Sequence, residues 1–153
     1  MQYDEFVGQV QNRARLASNG EAVTAIRATL QTLAERLAGG AAENLAAQLP
    51  REIGEYLRDS SVGELSAGER LSLDEFFARV SRREQKDLPT AIHDARVVCE
   101  VLQEAVSAGE IEKIRAQLPA EYGRLFDVGS TGRAPRKGRR GKESAQWQSG
   151  QTR

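Results

Sequence analysis

Few residues in this chain have the chemistry of an active site. His93 is the only histidine and Cys99 the only cysteine among its 153 residues. A lone histidine with no second His or Cys at ligand spacing does not make a conventional metal site. It reads as an ordinary surface or boundary histidine. Cys99 falls on an apolar stripe, so it reads as a small core hydrophobe rather than a thiolate nucleophile. Glu35 and Glu104 have the chemistry of a general acid or base. Each follows an arginine, Arg27 or Arg96, by eight residues, which is about 80° around a helix. No nucleophile motif and no phosphate-binding glycine loop accompanies them. They read instead as ion pairs that are solvated or that fix the contact between parts of the fold. No catalytic, cofactor or metal residue is assigned, and the expectation is a non-enzymatic protein.

The densest charge lies near the C-terminus. Arg133, Arg136, Lys137, Arg139, Arg140 and Lys142 place six cations in ten residues. Such a run can neutralise phosphates and release counterions. Trp147, the only tryptophan, follows it and has a face on which a base can stack. Non-specific nucleic-acid contact through these seven residues is one expectation. A solubilising terminus and a tail folded back on an acidic body are the others.

Net charge is zero, but its distribution is not even. Up to Asp127 there are 15 basic and 21 acidic residues, a balance of −6; from Val128 onward there are 7 and 1, a balance of +6. The chain therefore reads as an acidic body with a basic tail. One cysteine allows no intramolecular disulfide and suits a reducing compartment. The opening Met1-Gln2-Tyr3-Asp4-Glu5 does not resemble a signal peptide. No apolar run approaches the roughly 20 residues that span a bilayer. A cytoplasmic protein with no membrane contact is expected.

The elements that position these residues are announced by a repeat. Ala47-Gln48-Leu49-Pro50-Arg51-Glu52-Ile53-Gly54 recurs as Ala116-Gln117-Leu118-Pro119-Ala120-Glu121-Tyr122-Gly123, with six of eight positions identical at an offset of 69. Arg27, Leu33, Glu35 and Gly40 find Arg96, Leu102, Glu104 and Gly109 at the same offset. Asp4-Glu5-Phe6, Val10 and Arg13 find Asp74-Glu75-Phe76, Val80 and Arg83 at an offset of 70. A collinear match of this length points to a tandem duplication. Cys99 then corresponds to Leu30, which supports its core reading.

The periodicity is helical. Tyr3, Phe6, Val7, Val10 and Ala14 mark one face of a first helix, which Asn19-Gly20 is expected to break. Val23, Ile26, Leu30, Leu33 and Leu37 mark a second, ending at Gly39-Gly40. A third begins near Ala41 and carries Leu45 and Leu49. Pro50 breaks it, because proline lacks an N–H and its ring clashes with the preceding turn. The simplest arrangement has Pro50 opening a new helix, with Glu52 reaching back to free N–H groups. The second half repeats this with Leu73, Phe76, Phe77 and Val80, then Ile92, Ala95, Cys99, Leu102 and Val106 ending at Gly109, then Pro119. Gly54 and Gly123 inside helices suggest close helix approach across a pseudo-twofold.

The Phe-x-x-x-Val of the opening helix and the Ala-Gln-Leu-Pro segment resemble the bacterial family called domain of unknown function 2267. The resemblance runs from about Met1 to Asp127. It implies an all-helical fold and no established activity, so it carries over no catalytic residue. Many members have a Gly-Trp segment after the first Leu-Pro helix, where this chain has Arg58-Asp59-Ser60-Ser61-Val62-Gly63.

The expected fold is all-α. A duplicated helical domain spans 1–127, with one three-helix unit over about 1–59 and another over about 72–127, and a disordered basic tail follows over 128–153. The expected function is a helical interaction module with a protein partner, or a nucleic-acid accessory protein that uses its tail.

Overall fold

A computed structural model describes residues 1–38, 40–58 and 70–127 of the chain. Its long helices start where the sequence offers first-turn N–H groups an acceptor or an acid. Helix α1 (Tyr3–Ala14) has Asp4 and Glu5 in its first turn, where the helix dipole favours negative charge. Helix α2 (Asn19–Arg36) is capped by Ser18, whose hydroxyl accepts from the Glu21 N–H at 3.1 Å. Two short helices follow, α3 (Ala41–Ala46) and α4 (Arg51–Arg58). The order then resumes with α5 (Leu73–Glu84), capped by Ser72, and α6 (Leu88–Ala105), capped by Asp87 with Pro89 in its first turn. Ser107 caps α7 (Ala108–Ala116), and a 3-10 turn over Ala120–Tyr122 leads into α8 (Gly123–Phe126). The described residues thus form eight α-helices and no strand. None of these helices is long and apolar enough to cross a membrane.

Several boundaries differ from the sequence expectation. Asn19-Gly20 does not break α1 but opens α2, because Ser18 captures the start of that helix. Helix α1 has already ended at Ala14. Arg15 takes a left-handed conformation, φ 60°, and the N–H groups of Arg15 and Leu16 return to the carbonyls of Asn12 and Gln11. Gln85 ends α5 the same way with φ 61°. Positive φ is uncommon outside glycine, and these two residues are counterparts at offset 70. Helix α6 ends at Ala105, and Gly109, expected to end it, lies inside α7.

Leu-Pro breaks the third helix in both halves. Pro50 caps α4 rather than starting it, and its carbonyl accepts the Gly54 N–H at 2.9 Å. Glu121 does not serve its own helix start. Its carboxylate accepts the N–H of Leu73, the first residue of α5, at 3.1 Å.

The four long helices make the frame. Helix α1 packs on α2 and α6, α5 packs on α6 and α2, and α2 touches α6; α4 lies on α2 and α8 on α6. The expected stripes are buried at Ile26, Leu30, Leu33 and Leu37 and at Ala95, Cys99, Leu102 and Val106, while Val23 and Ile92 are half-buried. Tyr122 and Phe6 are among the largest fully buried side chains. Tyr122 meets Phe76 edge-on at 5.7 Å, and its hydroxyl donates to the Leu71 carbonyl at 2.7 Å. Its one polar atom is therefore satisfied inside the core.

Polar contacts cross between the halves in matched pairs. Arg13 of α1 donates to Glu104 of α6 through bonds of 2.9 and 2.8 Å. Arg83 of α5 donates to Glu35 of α2 at 2.5 Å. Gln48 of the first Ala-Gln-Leu-Pro accepts the Ser107 N–H at 2.8 Å, and Gln117 of the second accepts the Ala38 N–H at 3.0 Å. Each pair becomes the other under the sequence offset of 69 or 70.

Gly54 does permit a close approach, but within the first half. A Cβ there would lie 2.8 Å from the Ala46 carbonyl oxygen, so α4 sits directly on α3. Gly123 meets no such backbone. The nearest atom is a movable one, a carboxylate oxygen of Asp127 at 2.9 Å.

Candidate functional site

The polar residues singled out in the sequence fall in different places. His93 is half-buried on α6, with Nε2 enclosed and without a hydrogen-bond partner among the described residues. Burial lowers its pKa, and Arg96 and Arg15 push the same way against Asp94. Cys99 is fully buried, and burial pushes its thiol up to about 12. That is far from the range of reactive thiolates. Glu35 is held by Arg79 at 2.9 Å and Arg83 at 2.5 Å. The hydrogen bond from Arg13 keeps the Glu104 carboxyl below the usual carboxylate range. Both glutamates therefore join the halves, through Arg13, Arg79 and Arg83 rather than through Arg27 and Arg96. Arg27 is exposed. The basic residues Arg133 to Lys142, and Trp147, lie outside the described residues. Among the described residues no group of three or more His, Cys, Asp or Glu is placed to hold a metal ion.

Two clusters were not singled out from the sequence. The first is a buried carboxyl pair, Glu84 at the end of α5 and Asp94 on α6, with all four oxygens enclosed. The Lys86 ammonium lies 3.8 Å from Glu84, 3.6 Å from Asp94 and 3.5 Å from Glu21. Two ionised carboxylates cannot donate to each other, and burial of both is costly. A proton on Glu84 removes the conflict and lets it donate to Asp94. Burial first, then the Asp94 hydrogen bond and charge, push Glu84 up to about 9. A signal for this pair was present: the first half has Ala14, Leu16 and Ala25 where the second has Glu84, Lys86 and Asp94.

The second is a cleft of about 280 Å3 lined by Phe77 of α5, Ile92 and Arg96 of α6, Gly123 and Arg124 of α8, and Asp127. Phe77 is buried and Ile92 half-buried, so the floor is apolar. Arg96 is half-buried, and its Nε is enclosed with no hydrogen-bond partner among the described residues. Burial and then the charge of Arg124 lower its pKa. Asp127, at the mouth, is engaged by Arg115 at 2.6 Å. Such a place can bind an anion, but it contains no nucleophile beside a base.

This helical body has known relatives. The family model described as Uncharacterized conserved protein (DUF2267) matches residues 3–125. The chain belongs to this family. The DUF2267 match begins with α1 and ends within α8, so it takes in both halves, the Glu84–Asp94 pair and all of the cleft lining but Asp127, and the basic run lies beyond it. No curated protein matches the chain. The DUF2267 description names no activity, so it assigns no role to either cluster.

Proposed function

We propose that this DUF2267 protein is a non-enzymatic helical binding module for a protein partner, built by tandem duplication of a three-helix unit whose third helix breaks at Leu-Pro. The carrying observation is the crossed pairing of Arg13 with Glu104 and of Arg83 with Glu35. Four of the polar residues that the halves share, Arg13, Glu35, Arg83 and Glu104, are occupied in joining them. Recognition then falls to the outer surfaces, where the halves differ. A body with a balance of −6 up to Asp127 repels a phosphate backbone and suits a protein surface. Met1 and Leu88 are the exposed large hydrophobics among the described residues. The recognised surface is therefore polar and charged rather than an apolar groove. A cytoplasmic, bacterial setting belongs to the same reading and rests on the single cysteine and the family resemblance.

The six cations of the tail favour a second reading, a nucleic-acid accessory protein. Fluorescence anisotropy with labelled duplex DNA and structured RNA separates the two. The full chain is compared with a version ending at Asp127, at low and physiological salt. A protein binder shows no tight binding, and its partner is retained by the shortened chain. Micromolar binding that needs the tail and falls steeply with salt would replace the first reading with the second.

A further inference from the structure

We propose that the cleft between α5, α6 and α8 binds a small organic anion, a carboxylate or phosphate carried on an apolar group. Two guanidiniums, Arg96 and Arg124, share the cleft, and the charge of Arg124 outweighs that of Glu100 at Arg96. Like charges in a partly dry place repel, and an anion between them turns that repulsion into two attractions. Arg96 is half-buried, so its charge is only partly screened by water. Arg115 adds a third guanidinium at the edge. Its Nη2 stands 4.0 Å from the position a Gly123 Cβ would take, and it offsets the one acid there, Asp127. Planar guanidinium forks match carboxylate and phosphate oxygens.

The first half serves as an internal control. Its counterpart of Arg124 is Glu55, so Arg27 there has an acid nearby in sequence register where Arg96 has a second arginine. Its glycine, Gly54, is closed against the Ala46 backbone, while Gly123 has only side chains within 4 Å. The counterpart of Ala46 is Arg115. The second half thus gathers Arg96, Arg115 and Arg124 with Asp127, where the first half has Arg27, Ala46, Glu55 and Arg58 in register. At about 280 Å3 the space lies at the small end of ligand pockets. It admits a head group with one ring or a short chain, seated on Phe77 and Ile92.

The test uses the full-length, 15N-labelled chain and three probes: phenyl phosphate, benzoate and inorganic phosphate. Amide shifts of Gly123 and Arg124 are followed during titration. Phenyl phosphate or benzoate should give saturable shifts at millimolar concentration or below. Inorganic phosphate should bind at least about tenfold more weakly, because it lacks the apolar part. Arg124→Glu installs the first half's charge at an exposed position and should weaken binding by about tenfold or more. A paired Arg139→Glu, Arg140→Glu change in the tail should leave the Gly123 shifts unaltered. The proposal is overturned by no saturable shift with any probe, by equal binding in Arg124→Glu, by inorganic phosphate matching phenyl phosphate, or by shifts that need the tail pair. Such a failure leaves the protein-binding reading standing, since that rests on the crossed frame and not on this cleft.

Discussion

Arg13 and Glu104 lie 91 positions apart in the chain, yet meet through paired hydrogen bonds of 2.9 and 2.8 Å. Their counterparts Arg83 and Glu35 make the same crossing in the opposite sense. The surroundings differ. The Glu35 side chain is 5% exposed and that of Glu104 is 49% exposed. Arg79 supports Glu35, where the first half has Gln9 bonded to Arg13.

That difference predicts unequal losses. An exposed pair contributes little because water screens it, whereas a buried carboxylate robbed of a partner is costly. Arg83→Ala should destabilise by about 2–3 kcal/mol, with Arg79 retaining part of the charge balance. Arg13→Ala should cost less than about 1 kcal/mol. Urea unfolding of the two variants measures both, and equal losses would show that burial does not govern the crossings.

The paired glycines should also part company. Gly54→Ala drives a methyl into the Ala46 carbonyl and should lower stability by about 1–3 kcal/mol. Gly123→Ala needs only the Asp127 side chain to move. It should be neutral or gain up to about 1 kcal/mol from helix propensity. Thermal melts of both variants decide this, and a large loss at Gly123 would show that the Asp127 side chain cannot move aside.

Glu84 predicts a stability that declines with rising pH. Its carboxyl titrates at about 9 in the folded chain, against 4.5 for an ordinary glutamate. The folded state therefore holds a proton that the unfolded state releases. The stabilisation is fully present below about pH 4.5 and is lost as pH climbs through about 9. Asp94, Lys86 and Glu21 are the charged groups around it. Glu84→Gln keeps a donor for Asp94 and cannot ionise. Melting temperatures from pH 5 to 9 should slope downward in the native chain and flatten in the variant. A variant with the native slope would sink this assignment.

Cys99 should behave as a core atom. With its thiol buried and pushed up to about 12, a thiol reagent should label it only when the chain opens. Labelling in increasing urea should follow the global unfolding curve. Fast labelling in the native protein would mean that α6 opens locally.

Much of the frame was legible because it is written locally. The stripe from Ile26 to Leu37 and its copy from Ala95 to Val106 follow helical spacing, and Pro50 and Pro119 break their helices through a missing N–H and a ring clash. Boundaries were less legible. Asn19-Gly20 resembled a stop, but the Ser18 cap made it a start, and Arg15 rather than glycine took the left-handed position. The buried Glu84–Asp94 pair left a trace in the sequence, as charges where the first half has alanines. That trace appears only when the halves are compared position by position.

Helicity, the proline breaks and the inward faces can be read from neighbouring residues, since propensity, caps and periodicity act over a few positions. Packing alone brings Glu35 to Arg83 rather than Arg27, Gln48 to Ser107, and Arg96 into a cleft with Arg124. Those partners stand between 28 and 59 positions apart in the chain. Which of them meet depends on how α1, α2, α5 and α6 pack, and on the seats that α4 and α8 find against them.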